Sequence, residues 1–253
     1  MIDDWPASAG ATAHTFRDGL DDDAVIDGDD GHHLQRVRRV RAGERVTIAD
    51  GRGRWRLYNV VSSDAGVLAV RAVSPVQTEP MVRPTLAIAF GLTKGSKTDV
   101  VVQQLTELGV DRILPVIAQR SVMRWDDDRA AAATARFGRV AREAAAQSRR
   151  AHLPEVAAPA EVATLAGRPG LMVADRLGSD GGHDDPPGDE WLVLVGPEGG
   201  LAPEELEALG RPPAIAVGPH VLRAETAAVA VAAVLTARRG RPGRPVTGGR
   251  EPS

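Results

Sequence analysis

Residues 194–206 read LVGPEGGLAPEEL, Leu194 to Leu206. The stretch leaves an apolar strand, bends on Gly196, Pro197, Gly199 and Gly200, and opens a helix at Pro203. Glycine at such a bend turns with positive φ and lets a ligand approach main-chain N–H and C=O groups closely. No GK[ST] follows the glycines and no GxGxxG is present, so nucleotide phosphates fit poorly. Glu204 and Glu205 fall in the first helical turn, where carboxylates complement the positive end of the helix dipole and act as ordinary caps. Glu198 stands in the bend itself. Either it bonds the amides of its own loop, or it faces a ligand that is rich in donors or positively charged.

A second loop repeats the pattern. VGPHVLRAETAA, Val217 to Ala228, again starts with Gly-Pro and runs into a helix. Glu225 and Thr226 either cap that helix, or Arg223 beside them fixes a phosphate or a substrate edge. Two such units close together suggest two loops framing one pocket, and a third glycine loop runs from Gly91 to Gly95. Upstream, the apolar runs TLAIAFG (Thr85–Gly91), RILPVIA, LMVAD (Leu171–Asp175), WLVLVG (Trp191–Gly196) and AIAVG read as buried strands. Helical patterns alternate with them: TDVVVQQLTELG, with Val101, Leu105 and Leu108 on one face and Gly109 as its stop, then Asp128 to Ser148, Pro203 to Leu209 and Ala224 to Arg238. Alternating strands and helices predict an α/β fold with a mainly parallel sheet covered on both faces, and ligands beyond the carboxyl ends of the strands. Pro115 would have to sit at a strand end or sheet edge.

Towards the N-terminus the rhythm differs. From Val46 to Val73 the segments RVTIAD, RWRLYNVV and GVLAVRAV are separated by GRG and SSDAG, the punctuation of a small antiparallel β module. The proline-flanked stretch Ser74 to Pro84 marks the boundary, giving a first domain over 1–75 and a second over 83–240. The Gly-, Pro- and Arg-rich end, 241–253, has nothing to bury and reads as a disordered tail; 178–190 reads as a surface loop by the same test.

Charge is segregated. The net formal charge is only -3, yet acidic residues crowd Asp18 to Asp30 while eight arginines lie between Arg36 and Arg56. Arg36, Arg38, Arg39, Arg41, Arg52 and Arg54 therefore form a candidate RNA-binding patch, with a solvated surface as the plainer alternative. Lysine is confined to Lys94 and Lys97, a preference for arginine that genome composition also explains. Gln147, Ser148, Arg149 and Arg150 end the long helix, either as a solvated end favourable to its dipole or as an RNA contact. His32 and His33 lack metal-ligand company at useful spacing, and the absence of cysteine excludes disulfides and thiolate zinc sites. No apolar run approaches the roughly 18 residues needed to span a bilayer, and residues 1–14 show no signal-peptide pattern. The expected compartment is the cytoplasm.

Taken together, HHLQRVRRVRAGERVTIADGRG, KGSKTDVVVQQLTELGVDRILPV, AAAQSRRAHLPEV, LVGPEGGLAPEEL and VGPHVLRAETAAVAVAAVL resemble the RsmE family of SPOUT-class methyltransferases, over nearly the whole chain. The resemblance implies a small PUA-like β-barrel for RNA binding, followed by a SPOUT-type α/β methyltransferase domain with a C-terminal trefoil knot. It also implies a homodimer, S-adenosyl-L-methionine as cofactor, no metal, and methylation of N3 of a uridine in 16S ribosomal RNA of the small ribosomal subunit. Carried over by position, Leu194, Gly196, Pro197, Glu198, Gly199 and Gly200 form one cofactor loop, Val217, Gly218, Val221 and Leu222 another, and Glu225 and Thr226 the pocket floor. Arg150 and Arg223 are implied to be catalytic, with Gln147 and Arg149 facing the RNA. The chain departs from the family at Ala146, often Glu, and at Arg149, often Gly. The rival readings are a related enzyme acting on a ribose 2'-OH or another base, and a non-catalytic RNA-binding assembly factor.

Overall fold

The computed structural model describes residues 5–92, 97–121, 126–175, 186 and 188–239. The expected 241–253 tail, most of the 178–190 loop and the far side of the Gly91 loop lie outside them. The chain divides into two units: Met1–Met81 with Arg139–Pro154, and Val82–Gly138 with Glu155–Ser253.

In unit 1, strands β1 (Ala13–Phe16), β2 (Asp23–Ile26), β3 (Arg45–Ala49), β4 (Arg54–Asp64), β5 (Val67–Ala72) and β6 (Gln77–Thr78) form one sheet, in the order β1-β3-β4-β5-β2 with β6 beside β4. The β3-β4-β5 meander is antiparallel, as the turn punctuation predicts, whereas β1 lies parallel to β3. Val46 and Ile48 on β3, Tyr58 and Val60 on β4, and Leu68 and Val70 on β5 alternate into one core, as a period of two requires. The segment Arg139–Pro154 is the second half of an Ala-rich helix and the turn after it. The sequence groups these residues with the second domain, because an alanine-rich pattern does not mark which unit it serves. Its Ala145 and Ala151 pack with Phe16, Ala49 and Trp55 of unit 1.

In unit 2, strands β7 (Thr85–Gly91), β8 (Arg112–Ile117), β9 (Glu155–Val156), β10 (Ala160–Glu161), β11 (Leu171–Ala174), β12 (Glu190–Val195) and β13 (Ala214–Ile215) build a sheet ordered β10-β8-β7-β12-β11-β13, with β9 also on β8. Every pair is parallel. Leu86 to Ala89 and Leu192 to Leu194 are wholly buried, the signature of strands covered on both faces. Pro115 sits inside β8, not at its end, and hydrogen-bond parity explains how. Ile113 accepts from Ala157 on the β9 side, while Val116 accepts from Leu92 on the β7 side. By alternation Pro115 faces the β9/β10 side, where β9 pairs only with Arg112 and Ile113 and β10 only with Val116 and Ile117. Its missing N–H therefore falls in the gap between two short partners.

After the short helix α1 (Gly28–His32) of unit 1, the helices of unit 2 are α2 (Lys97–Glu107), the first part of α3 (Asp127–Ser148), α4 (Pro203–Ala208) and α5 (Ala224–Arg238). Helix α2 buries Val101, Val102 and Leu105 and packs against α5, and Gly109, at φ +88°, ends it. Beyond α5, the buried Arg239 closes this corner. It donates to the carboxylate of Asp111 and to the carbonyl of Gly109 at 2.8 Å, and Asp111 Oδ2 also accepts the Leu86 N–H at 2.8 Å. Asp111→Ala should therefore lower stability by about 3 kcal/mol, because it leaves a guanidinium buried without its counter-charge. Urea melts of the two proteins check this, and a difference of a few tenths would show the pair to be idle.

Candidate functional site

A cavity of about 380 Å³ opens where β11, β12 and β13 end, between the loop after β12 and the loop before α5. Both glycine loops predicted to frame a pocket thus meet at one, beyond the carboxyl ends of the strands. Gly196, Pro197, Glu198 and Gly200 line it from the first loop, and Val217, Gly218, Val221 and Leu222 from the second. The other predicted residues are placed differently. Leu194 is wholly buried in β12, and the Gly199 carbonyl accepts from Arg120 Nη1 at 3.1 Å. Arg223 is exposed at the cap of α5, and neither Glu225 nor Thr226 is among the lining residues.

The first loop is held from three directions. Its own turn closes with the Gly200 N–H on the Pro197 carbonyl at 2.8 Å, and among its glycines Gly200 alone takes a positive φ, +69°. From below, the end of β7 comes so close that a Cβ on Gly91 would stand 2.6 Å from Pro197 N and 2.7 Å from its Cδ. From the side, the buried Glu205 carboxylate accepts from Ala202 N–H at 2.8 Å and Gln119 N–H at 2.9 Å. Glu205 is thus the helix cap that the sequence indicates, and it also ties the loop to the chain leaving β8.

The electrostatics show what sequence reasoning missed. Lys97 Nζ lies 2.9 Å from Glu225 Oε1 and 3.9 Å from Glu198 Oε1, so one lysine balances carboxylates from both loop regions. The Glu225 carboxyl is held below the usual carboxylate range by its own backbone amide and by Lys97. Asp175, exposed at the end of β11, also lines the cavity. Its signal was a lone carboxylate closing an apolar strand run. Among the described lining residues there is no lysine or arginine, while Glu198 and Asp175 are both present.

Unit 1 sorts its arginines. Arg17, Arg56, Arg71 and Arg142 pair with Asp21, Asp22, Asp23 and Asp30 of the acidic run. Arg36, Arg38, Arg39, Arg41, Arg52 and Arg54 are exposed, with no ion-pair partner among the described residues. The sequence clusters are therefore two populations, one neutralised inside the unit and one facing solvent. Gln147 is exposed, and Arg149 and Arg150 are half-buried. Both arginines belong to unit 1, while Arg223 belongs to unit 2. His32 and His33 are exposed, and no cluster of potential metal ligands occurs among the described residues.

His14, which sequence reasoning passed over, is buried beside this turn. Its Nε2 lies 3.0 Å from the Arg150 carbonyl and its Nδ1 2.8 Å from Thr47 Oγ1. A carbonyl only accepts, so Nε2 carries the proton and Nδ1 accepts from the hydroxyl. Burial pushes the imidazole down to about 4, the bond to Arg150 opposes this, and the charge of Arg149 adds to it. In the unfolded chain the group binds its proton near 6.5, so between those values the unfolded state holds more protons. Stability should accordingly fall as pH drops from about 6.5 towards 4, by on the order of 3 kcal/mol in all. Urea melts at stepped pH read this slope, which should become shallower in His14→Phe, leaving the part that the lowered carboxyls of Glu190 and Glu225 contribute.

Two domain models match the chain: an RNA methyltransferase PUA domain over residues 26–70 and an RNA methyltransferase domain over residues 80–236. The chain is 37% identical over 237 residues to the ribosomal RNA small subunit methyltransferase E of Mycobacterium bovis, covering 85% of this chain and 87% of that protein. It is 30% identical to the Bacillus subtilis protein of that name, covering 80% of this chain and 85% of the other. Among solved structures, the Neisseria gonorrhoeae ribosomal RNA small subunit methyltransferase E bound to S-adenosyl methionine aligns with a TM-score of 0.79 at 26% identity, over 89% of this chain and 97% of that one.

Proposed function

The chain belongs to the ribosomal RNA small subunit methyltransferase E family, and we propose that it transfers the methyl group of S-adenosylmethionine to N3 of a uridine in 16S ribosomal RNA. The observation that carries this reading is the composition of the cavity wall. Its polar edge is main chain from the two glycine loops, and among the described lining residues the carboxylates Glu198 and Asp175 are present while lysine and arginine are not. A phosphate-bearing nucleotide finds no cationic side chain among the described lining residues. A ligand with a sulfonium, an ammonium and ribose hydroxyls suits it, and the volume is in the range of small-molecule sites.

In this reading the loop amides and carbonyls of Gly196 to Gly200 and Val217 to Leu222 hold the cofactor, with Asp175 accepting from hydroxyls and Glu198 near positive charge. When bound, the cofactor supplies an electrophilic methyl group on its sulfonium. The rest falls to the protein's own groups. Uracil N3 is mostly protonated at neutral pH and releases that proton to water as the N–CH3 bond forms and the S–CH3 bond breaks, and its deprotonated form spreads negative charge over both ring carbonyls. Guanidinium donors at those carbonyls, from Arg223 or Arg150, stabilise that anion, which is the electrostatic part of the catalysis. Extracting the uridine from its stack and holding it in line supplies the remainder. The arginines from Arg36 to Arg54 that lack acidic partners grip the phosphate backbone.

Three further features belong to the proposal. The glycine loops form a trefoil knot, a reading supported by the order β7-β12-β11-β13, in which the chain leaves and re-enters the sheet beside earlier strands. The protein works in the cytoplasm; no helix among the described residues is long and apolar enough to cross a membrane. It acts as a homodimer, supported by α5, whose Val229 and Val234 remain half-exposed on an otherwise apolar helix. Sedimentation should give twice the 26.6 kDa chain mass; a monomer at micromolar concentration would remove that part.

Calorimetry with S-adenosylmethionine, followed by nucleoside analysis of methylated 16S RNA, tests the whole. Binding and 3-methyluridine are expected. Absence of binding leaves an RNA-binding factor, and a ribose-methylated product shifts the target to the 2'-OH. Gly91→Ala should weaken cofactor binding at least about tenfold, because the new Cβ displaces the Pro197 loop; at 1.4 kcal/mol per decade this is a modest strain. Unchanged affinity would show that the loop yields freely.

A further inference from the structure

Helix α3 ends in a turn that its sequence does not favour. Arg149 takes φ +58°, a left-handed conformation that glycine adopts freely and a residue with a Cβ does not. The turn bonds back on itself, with the Arg150 N–H on the Ala145 carbonyl at 3.0 Å and the Arg149 N–H near the Ala146 carbonyl at 3.4 Å. A strained turn persists when its surroundings over-determine it, and here they do. The Arg150 carbonyl accepts from His14 Nε2–H at 3.0 Å. The Ala151 N–H donates to Glu79 Oε2 at 2.6 Å, and the His152 ring donates Nε2–H to the Glu79 carbonyl at 2.9 Å. The Ala151 carbonyl accepts from Gly53 N–H at 3.1 Å, and Leu153 N–H donates to the Gly51 carbonyl at 2.9 Å.

His14 and Glu79, which hold the turn, are each only 5% exposed. The loop between β3 and β4 is pressed against the same turn, with no room for a side chain at its centre. A Cβ on Gly53 would stand 2.3 Å from His152 Cε1. That contact sets Arg52 in register with His152, two to three residues from Arg149 and Arg150. Burying a carboxylate and an imidazole beneath a basic turn is unfavourable on stability grounds alone. It becomes useful when a polyanion is to be met.

We propose that His14 and Glu79 are positioning residues, which fix the strained Arg149–His152 turn against the Gly51–Gly53 loop so that Arg52, Arg149 and Arg150 form one ready-made basic site for RNA. The proposal rests on the reading of unit 1 as the RNA-binding part. It assigns neither residue to the chemistry. Both act through the backbone that they hold.

The test uses the full chain and a fluorescently labelled single-stranded RNA, with S-adenosylmethionine titrated in parallel. His14→Phe and Glu79→Leu should bind the RNA roughly tenfold more weakly, with a salt slope reduced by about 1 for each misplaced arginine. Their affinity for S-adenosylmethionine should not change. Glu79→Gln keeps an oxygen acceptor for the Ala151 N–H and should stay within about twofold of the parent. If both disabling variants bind RNA as the parent does while Arg149→Ala with Arg150→Ala loses binding, positioning is wrong and the RNA reading stands. If the arginine pair is also without effect, the RNA reading of the turn fails and takes the proposal with it. Should His14→Phe not fold, adding Arg149→Gly decides the matter. That change relaxes the turn and should restore folding, whereas continued failure would make His14 simple core packing.

Discussion

The contact between Gly91 and Pro197 is the constraint on which the cavity depends. Because no Cβ intervenes, the bend after β12 lies directly on the end of β7, and its main-chain atoms are left facing the space beyond β11 and β13. A parallel sheet supplies the rest. Its strands all point the same way, so their following loops gather at one end and a ligand there meets backbone from several of them. Glu205 and Arg120 then hold the far side of the bend, through Gln119 and Gly199. A loop braced in this way can present N–H and C=O groups without the flexibility that an exposed, glycine-containing segment would otherwise have, and binding then costs less ordering.

Charge is organised by the same economy. The acidic run near the N-terminus neutralises particular arginines, including Arg56, which is embedded among Asp22 and the carbonyls of Leu20 and Ser74. What remains exposed is a set of arginines with no ion-pair partner among the described residues. In unit 2 the sign is reversed. Carboxylates stand at the cavity, and Lys97 at the start of α2 keeps Glu225 and Glu198 from accumulating uncompensated charge. A basic surface on one unit and an acidic-edged cavity on the other suit a polyanionic substrate and a cationic methyl donor.

Much of this was legible in the sequence, for reasons that differ by element. Strands such as TLAIAFG and WLVLVG, buried on both faces, write themselves as unbroken apolar runs, and the helices between them as 3.6-residue patterns. Both glycine loops could be read as walls of one pocket because each follows a strand and precedes a helix. Strands β1 and β2 were not readable: AHTF and DAVI are too short for alternation to register, and the pairing of β1 with β3 is a long-range event. Lys97 was left without a role, and Asp175 and His14 were missed, for a related reason. Each acts on partners distant in sequence, Glu225, the cavity and Arg150, and spacing along the chain carries no trace of such meetings. The role of Arg56 was hidden in the opposite way, since it lies within a run of arginines and differs from them only in what it touches.

Arg149 shows how a local rule can fail for a reason outside its own segment. A residue with a side chain in the left-handed region is disfavoured by roughly 1–2 kcal/mol, and glycine is the ordinary solution at that point of a helix end. Here the chain carries a guanidinium, and the turn is held by a network reaching from β1, through His14, to the segment after β6, through Glu79. Arg39 and Arg211 take the same left-handed region, so backbone strain at Arg149 does not by itself account for the network. It is explained if the side chain at that position is wanted. The departure from local preference and the buried polar groups beneath it are then one feature, a cation placed where the backbone alone would not put it.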